Sequence, residues 1–351
     1  VSQVVDALAL SLLPNVHPRL LRAICARGTP EEILAAPGEH ADLLTPRAVN
    51  AARSGEALEN AQREIAEARR RGFDIVPLDD PRFPPLLCET HDPPLVLYVW
   101  GTLLPGEGPR GVAIVGSRAG TPSGCALARA LGRDLAEAGL TVVSGLARGI
   151  DSAAHLGALD ARSRTIAVLG SGLSCLYPRE NALLAEAVAK SGAVVSEFPL
   201  ETQPHRSNFP RRNRVIAGWT PAVVVVEAGE KSGALVTARL ALDEGRDVYA
   251  VPGAPSIETA MGTNQLIRDG AALVRNARDV LDEMGMKATP RESPAAAMDP
   301  LLCLLDRDKP CSLDDLQMQS GLAPALLLQR LTELELECRV WRMPGSLYVR
   351  R

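Results

Sequence analysis

What this sequence lacks narrows its class first. Its seven cysteines (Cys25, Cys88, Cys125, Cys175, Cys303, Cys311, Cys338) stand singly, without a C-x-x-C pair or a histidine at ligand spacing, which argues against a structural zinc site and a disulfide framework. A reduced, cytoplasmic protein with buried cysteines and no metal or other cofactor is expected. No apolar run approaches the ~20 residues that a membrane-spanning helix needs, so no membrane partner is expected. The first fourteen residues are apolar, but they have no basic start and carry Asp6, so they read as a core helix rather than a secretory signal. Positive charge is not in excess either: the net charge is −4. Residues 110–285 hold 19 Lys/Arg against 18 Asp/Glu, and residues 73–109 hold one Arg against six acids. Any anion site must then come from local arrangement and not from bulk charge.

What is present is an ordinary globular mixture, 46% hydrophobic and 23% charged over 351 residues, long enough for two or three domains. Residues 1–72 read as a small helical, SAM-like domain with helices over 8–13, 17–26 and 30–35, then a longer amphipathic helix ending near Arg71-Gly72. The stretch Leu13-Pro14-Asn15-Val16-His17-Pro18 has the helix, turn, helix look of DNA-associated domains. Nine basic and nine acidic residues cancel there, however, which favours an interaction domain without DNA contact. Residues 73–109 are proline-rich around the run Leu95-Val-Leu-Tyr-Val-Trp100 and read as an extended connector with one strand packed on the next domain.

Residues 110–285 alternate short apolar runs (112–115, 141–143, 165–169, 193–195, 222–226, 248–251) with helical segments opened by Thr121-Pro122, Pro178 and Ser232 and closed by Gly192 and Gly245. That pattern predicts an α/β fold, a Rossmann-like parallel sheet covered on both faces. Residues 286–299 read as a linker. Residues 300–351 have the order of a winged helix, with a capping box at Ser312 and Asp315, a helix start at Pro324 and a turn at Pro344-Gly345. Its would-be recognition helix carries Glu333, Glu335 and Glu337 against Arg330, which would repel phosphate.

Glycine follows a strand at four places: Gly116-Ser117-Arg118, Gly145-Leu-Ala-Arg148-Gly149, Gly170-Ser-Gly172 and Gly229-Glu-Lys231-Ser232-Gly233. Backbone N–H groups converge at such strand ends and favour anions. Gly229-Glu-Lys-Ser-Gly scrambles the Walker A order, and Gly170-Ser-Gly-Leu-Ser-Cys175 departs from the dinucleotide fingerprint at its last position, so neither ATP hydrolysis nor NAD is supported. The densest signal is His205-Arg206-Ser207-Asn208-Phe209-Pro210-Arg211-Arg212-Asn213-Arg214. Four arginines in nine residues flank one of only four phenylalanines, a pairing of phosphate forks with an aromatic face that suits single-stranded nucleic acid. One or two of the four arginines are expected to be structural.

The blocks Ala113-Ile-Val-Gly-Ser-Arg118, Ser144-Gly-Leu-Ala-Arg-Gly-Ile-Asp151, Tyr177-Pro-Arg-Glu-Asn181, Ser196-Glu-Phe-Pro199, Phe209-Pro-Arg-Arg-Asn-Arg214, Ser232-Gly-Ala-Leu-Val-Thr237 and Gly262-Thr-Asn-Gln-Leu-Ile267 resemble, in order and spacing, the motif series of the DprA/Smf family. The resemblance implies a non-enzymatic protein that binds single-stranded DNA, protects incoming or processed DNA, forms a homodimer, and helps load RecA onto DNA covered by SSB in natural transformation and recombination. The expected nucleic-acid contacts are Gly116, Ser117, Arg118, Gly145, Arg148, Gly170, Arg206, Asn208, Phe209, Arg211, Arg212, Lys231, Ser232 and Gly233. The family often has lysine at the position of Arg206. The rival is a LOG-like nucleotide phosphoribohydrolase on a similar sheet. This chain lacks that family's Pro-Gly-Gly-x-Gly-Thr-x-x-Glu run, although Glu227 ends a strand and Asp151 and His155 share a helix face. The expected roles of that pair are a helix cap for Asp151 and packing for His155.

Overall fold

The structure is a computed structural model that describes residues 2–16, 18–286, 300–306, 310–336, 340–343 and 347–350. The chain divides into two compact units, Val1–Thr289 and Pro290–Arg351.

The first unit opens with α1 (Ser2–Ser11), α2 (Pro18–Cys25), α3 (Pro30–Ala35), α4 (Pro46–Arg53) and α5 (Glu56–Arg70). Thr29 and Thr45 each precede a proline and accept a hydrogen bond from the backbone three residues on. At α3 Glu32 returns the bond to the Thr29 N–H at 2.8 Å, a full capping box. The longer amphipathic helix expected to end near Arg71-Gly72 is α5. Gly55 sits at φ +80° between α4 and α5, a left-handed conformation that separates the two helices and that glycine adopts freely.

Residues 74–101 differ from expectation. They supply β1 (Asp74–Pro77), α6 (Pro85–Cys88) and β2 (Val96–Gly101). The segment read as a connector with one strand therefore adds two strands to the sheet, antiparallel to each other and, through β2, to its neighbour. Asp74-Ile-Val-Pro77 is too short to show periodicity, and its proline is tolerated because β1 is an edge.

The body of the unit is β3 (Gly111–Val115), α7 (Pro122–Glu137), β4 (Thr141–Ser144), α8 (Ile150–Asp160), β5 (Thr165–Leu169), α9 (Ala182–Ser191), β6 (Ala193–Ser196), α10 (Asn208–Trp219), β7 (Ala222–Val225), α11 (Gly233–Asp243), β8 (Asp247–Ala250), α12 (Glu258–Arg268), β9 (Ala272–Leu273) and α13 (Ala277–Glu283). The sheet order is β1-β2-β6-β5-β4-β3-β7-β8-β9, with β3 to β9 parallel. Val, Ile and Ala fill both sheet faces, and β3, β5, β6 and β7 are buried throughout, as a doubly covered sheet requires. From β3 the chain steps outward to β6, then returns through α10 to pair β7 with β3 in the register Ala113↔Val223 and Val115↔Val225. The connections leaving β3 and β7 therefore run in opposite directions, and a crevice opens between them at the carboxyl ends.

The second unit holds α14 (Pro300–Leu304), β10 (Cys311–Ser312), α15 (Leu313–Ser320), α16 (Pro324–Leu336), β11 (Val340–Met343) and β12 (Leu347–Arg350), with the antiparallel order β10-β12-β11. Leu301, Leu302, Leu316, Leu327, Leu331, Leu334 and Tyr348 form its core. Three helices and a two-stranded wing make a winged helix. The Ser312 hydroxyl accepts the Asp315 N–H at 3.1 Å, and α15 ends at Gly321 with φ +66°. The expected turn at Pro344-Gly345, Glu337 and the linker beyond Met286 lie outside the described residues. Among the described residues no helix is long and apolar enough to cross a membrane.

Candidate functional site

The crevice between the ends of β3 and β7 encloses about 990 Å³. Gly116, Ser117, Arg118, Phe209, Arg212, Lys231, Ser232 and Gly233 line it, so eight of the fourteen expected contacts meet in one place. Gly145, Arg148, Gly170, Arg206, Asn208 and Arg211 are not part of its lining.

The four glycine loops do different work. A Cβ on Gly116 would lie 2.7 Å from Ile150, one on Gly145 would lie 2.4 Å from the Arg212 guanidinium, and one on Gly170 would lie 2.8 Å from the Phe209 ring. Packing alone demands these three glycines. A Cβ on Gly233 would meet nothing within 4 Å, so the fold leaves that backbone open to close approach. It lies at the start of α11, where Ser232 caps by accepting the Ala234 N–H at 3.3 Å and the first turn has unpaired donors.

The arginine run also divides. Arg206 is exposed. Arg211 donates to Glu197 at 3.1 Å and lies 4.9 Å over the Phe198 ring. Arg214 bonds Glu197 and the Asp92 carbonyl. Arg212 is only 4% exposed and donates to the carbonyls of Gly145, at 2.6 Å, and Val168. Three of the four arginines thus hold α10 in place, where one or two were expected. At the rim, Arg118 and Lys231 are exposed, and Arg118 stacks 4.7 Å over the Phe209 ring. Arg118, Arg206 and Lys231 have no ion-pair partner among the described residues. Arg148 pairs with Glu180.

Beneath the rim, Asp151 reaches the crevice floor. It does not cap its own helix. Its Oδ2 accepts the N–H groups of Gly145 at 3.2 Å and Ala147 at 3.4 Å, bracing the loop ahead of α8. Burial lifts the Asp151 carboxyl above its usual range against the pull of Arg212, and pushes Arg212 down to about 10. His155 is fully buried, with Nδ1 2.7 Å from Thr165 Oγ1. That hydroxyl donates onward to the Val142 carbonyl at 2.8 Å, so Nδ1 carries the proton. Burial pushes His155 down to about 3. The Glu227 carboxylate accepts the Thr121 N–H at 2.8 Å and the Thr121 hydroxyl, which ties it to the start of α7. Among the described residues no three His, Cys, Asp or Glu side chains are placed to hold a metal ion.

Sequence reasoning passed over Asn213, Thr259 and Met261, which line the crevice, and Tyr177, whose ring lies 5.8 Å from that of Phe209. The block from Gly262 to Ile267 held the signal for one of these walls. Asn264 bonds both the N–H and the C=O of Gly253, at 3.2 and 2.9 Å, fixing the loop that leads to Thr259.

The parallel sheet with its crevice at the reversal of strand order, together with the three-helix unit and its wing, defines a Rossmann-like α/β protein carrying a winged helix. Residues 74–285 match the family model described as DNA recombination-mediator protein A, and residues 286–346 match the DprA winged helix domain. The chain belongs to the DNA recombination-mediator protein A (DprA) family. It is 43% identical to protein Smf of Synechocystis over 63% of this chain and 56% of that protein, so it spans little more than half the length of that relative. DNA processing protein A of Streptococcus pneumoniae superposes with a TM-score of 0.61 at 32% identity, over 78% of this chain and 95% of that one. DNA processing protein A of Helicobacter pylori, whose structure was described for its single-stranded DNA binding mode, gives 0.54 at 28% identity, over 60% and 95%.

Proposed function

We propose that this chain binds single-stranded DNA in the crevice and acts in DNA processing as a mediator without catalysis of its own. The observation that carries this is the pair of exposed cations without ion-pair partners among the described residues, Arg118 and Lys231, lining a crevice in which Gly233 leaves its backbone open to close approach, with Arg206 exposed just ahead of α10. Phosphates are bound by such cations and by helix-start N–H groups without reading bases. The DNA contacts are Ser117, Arg118, Arg206, Lys231, Ser232 and Gly233, with the Phe209 ring holding Arg118. Gly145, Gly170, Arg211 and Arg212 position them. The Helicobacter pylori relative supports this reading.

Protection of incoming DNA, loading of RecA onto strands covered by SSB, and a cytoplasmic place in transformation and recombination rest on family membership. A homodimer is supported by apolar side chains left exposed on α11, α12 and β9, among them Leu242 at 58%, Met261 and Leu273. The phosphoribohydrolase reading loses its acid–base set: Glu227 is bonded to Thr121 and His155 is neutral and sealed from the crevice.

Fluorescence anisotropy with labelled oligothymidylate and a duplex of equal length tests the proposal. Single strands should bind more tightly, and log affinity should fall linearly with log salt by ~0.7 per phosphate contact. Equal affinity for the duplex, or release of free base from a nucleotide, overturns it.

A further inference from the structure

The aromatic surface offered to a ligand is not where the arginine run suggests. Phe209 has its ring against Gly170 on one side, the Arg118 guanidinium 4.7 Å from its centroid, and Tyr177 against it as well. Its surroundings leave it half-buried. Tyr177 comes from the loop between β5 and α9. It leans on Phe209 with ring centroids 5.8 Å apart and planes at 50°, the tilted contact that aromatic quadrupoles favour. Yet it stays 40% exposed, and its hydroxyl makes no hydrogen bond to any described residue. Phe209 therefore supports one part of the ring while the remainder stands in water, and the same Phe209 ring carries Arg118, which has no ion-pair partner among the described residues.

We propose that Tyr177 is a stacking platform for one nucleobase of a bound single strand, with the adjoining phosphates directed toward Arg118 and Lys231. The proposal rests on the single-strand reading of the crevice. A π-face beside cations is what an unstacked base and its phosphate require together, and it tolerates any base. Bases inside a duplex already stack on their neighbours and offer no free face, whereas their phosphates remain accessible. Tyr177 then supplies the preference for single strands, and the cations supply affinity that single and double strands share. Phe209 acts as a positioning residue that holds Tyr177 and Arg118 in one arrangement.

The full chain and its Tyr177→Ala and Tyr177→Phe variants are to be titrated with oligothymidylate, with an abasic deoxyribose-phosphate strand of equal length, and with duplex, each over a salt series. The expected result for Tyr177→Ala is a loss of roughly 5- to 150-fold on oligothymidylate, the range of one base–aromatic stack. Binding to the abasic strand and the duplex should be unchanged, and the salt slope should stay that of the parent because no phosphate contact is removed. Tyr177→Phe should bind as the parent does. Parent-like binding of oligothymidylate by Tyr177→Ala overturns the platform while leaving the single-strand reading intact. Equal losses on oligothymidylate and on the abasic strand also overturn it, since the ring would then act through Arg118. Failure of the parent to bind oligothymidylate at all overturns both.

Discussion

The floor and the rim of the crevice carry similar charges and use them in opposite ways. On the floor, Arg212 and Asp151 face each other in a dry interior, and nearby Arg211 and Arg214 converge on the buried Glu197. At the rim Arg118 and Lys231, and just ahead of α10 Arg206, stand in water without ion-pair partners among the described residues. A buried cation that is compensated on all sides has nothing left for a ligand, whereas a solvated one exchanges water and counterions for phosphate. Arg206 and Arg212 are six positions apart in one run, yet one stands in water and the other is buried in the fold.

The sharpest way to break this comparison is Arg212→Ala. It would leave the Gly145 and Val168 carbonyls without their buried donor and remove the cation that draws the Asp151 carboxyl down, at a cost of about 1–3 kcal/mol for each orphaned group. Chemical denaturation should show that loss as a lower midpoint. A variant as stable as the parent would place Arg212 on the rim side of the division.

Arg118→Ala and Arg206→Ala should do the reverse. Each removes a charged contact worth roughly 1.5–3 kcal/mol of binding, and each should make the salt slope shallower while thermal melting stays nearly unchanged. A drop in melting temperature with unaltered DNA affinity would mean that the residue belongs with the floor.

His155 extends the comparison to pH. Its folded-state value, about 3, lies below its ordinary 6.5. Its contribution to stability is therefore fully present above pH 6.5 and drains as pH falls toward 3. Between pH 7 and pH 5 this amounts to about 2 kcal/mol. Denaturation at both values should show the loss, and His155→Leu should lose less stability over the same interval than the parent does.

Much of this architecture was legible in the sequence because near-continuous β-branched runs and capped helices are local signals. The six runs expected between residues 112 and 251 fall within one residue of β3 to β8 at each end. β1 and β9 were missed because runs of four and two residues carry no periodicity. The Lys231-Ser232-Gly233 loop was legible for the same local reason. The division of the arginines was not, since it depends on partners far along the chain. Arg214 finds the Asp92 carbonyl, 122 positions away, and Arg212 finds that of Gly145, 67 away. Gly145 and Gly170 read as anion loops because nothing local reveals that Arg212 and Phe209 pack against them.

The winged helix supplies a third arrangement and the smallest expected effect. Its α16 carries Arg330 bonded to Glu333 on its own surface, with Glu335 beside them. An exposed i,i+3 pair of this kind contributes little to stability. It also leaves the helix that would enter a groove without net positive charge to release counterions from DNA. The described helix thus resembles the floor in being compensated and the rim in being wet, a combination that favours neither tight packing nor phosphate binding. Removing everything after Met286 should then leave the first unit folded, because its cores lie within residues 7–286. Affinity for oligothymidylate should stay within about 5-fold of the full chain, under ~1 kcal/mol, with the same salt slope. The decisive measurement is paired anisotropy titrations at two salt concentrations. A shallower slope in the shortened chain would mean that phosphate contacts had been lost with the winged helix, and that pairing on the surface of α16 does not keep this unit off DNA.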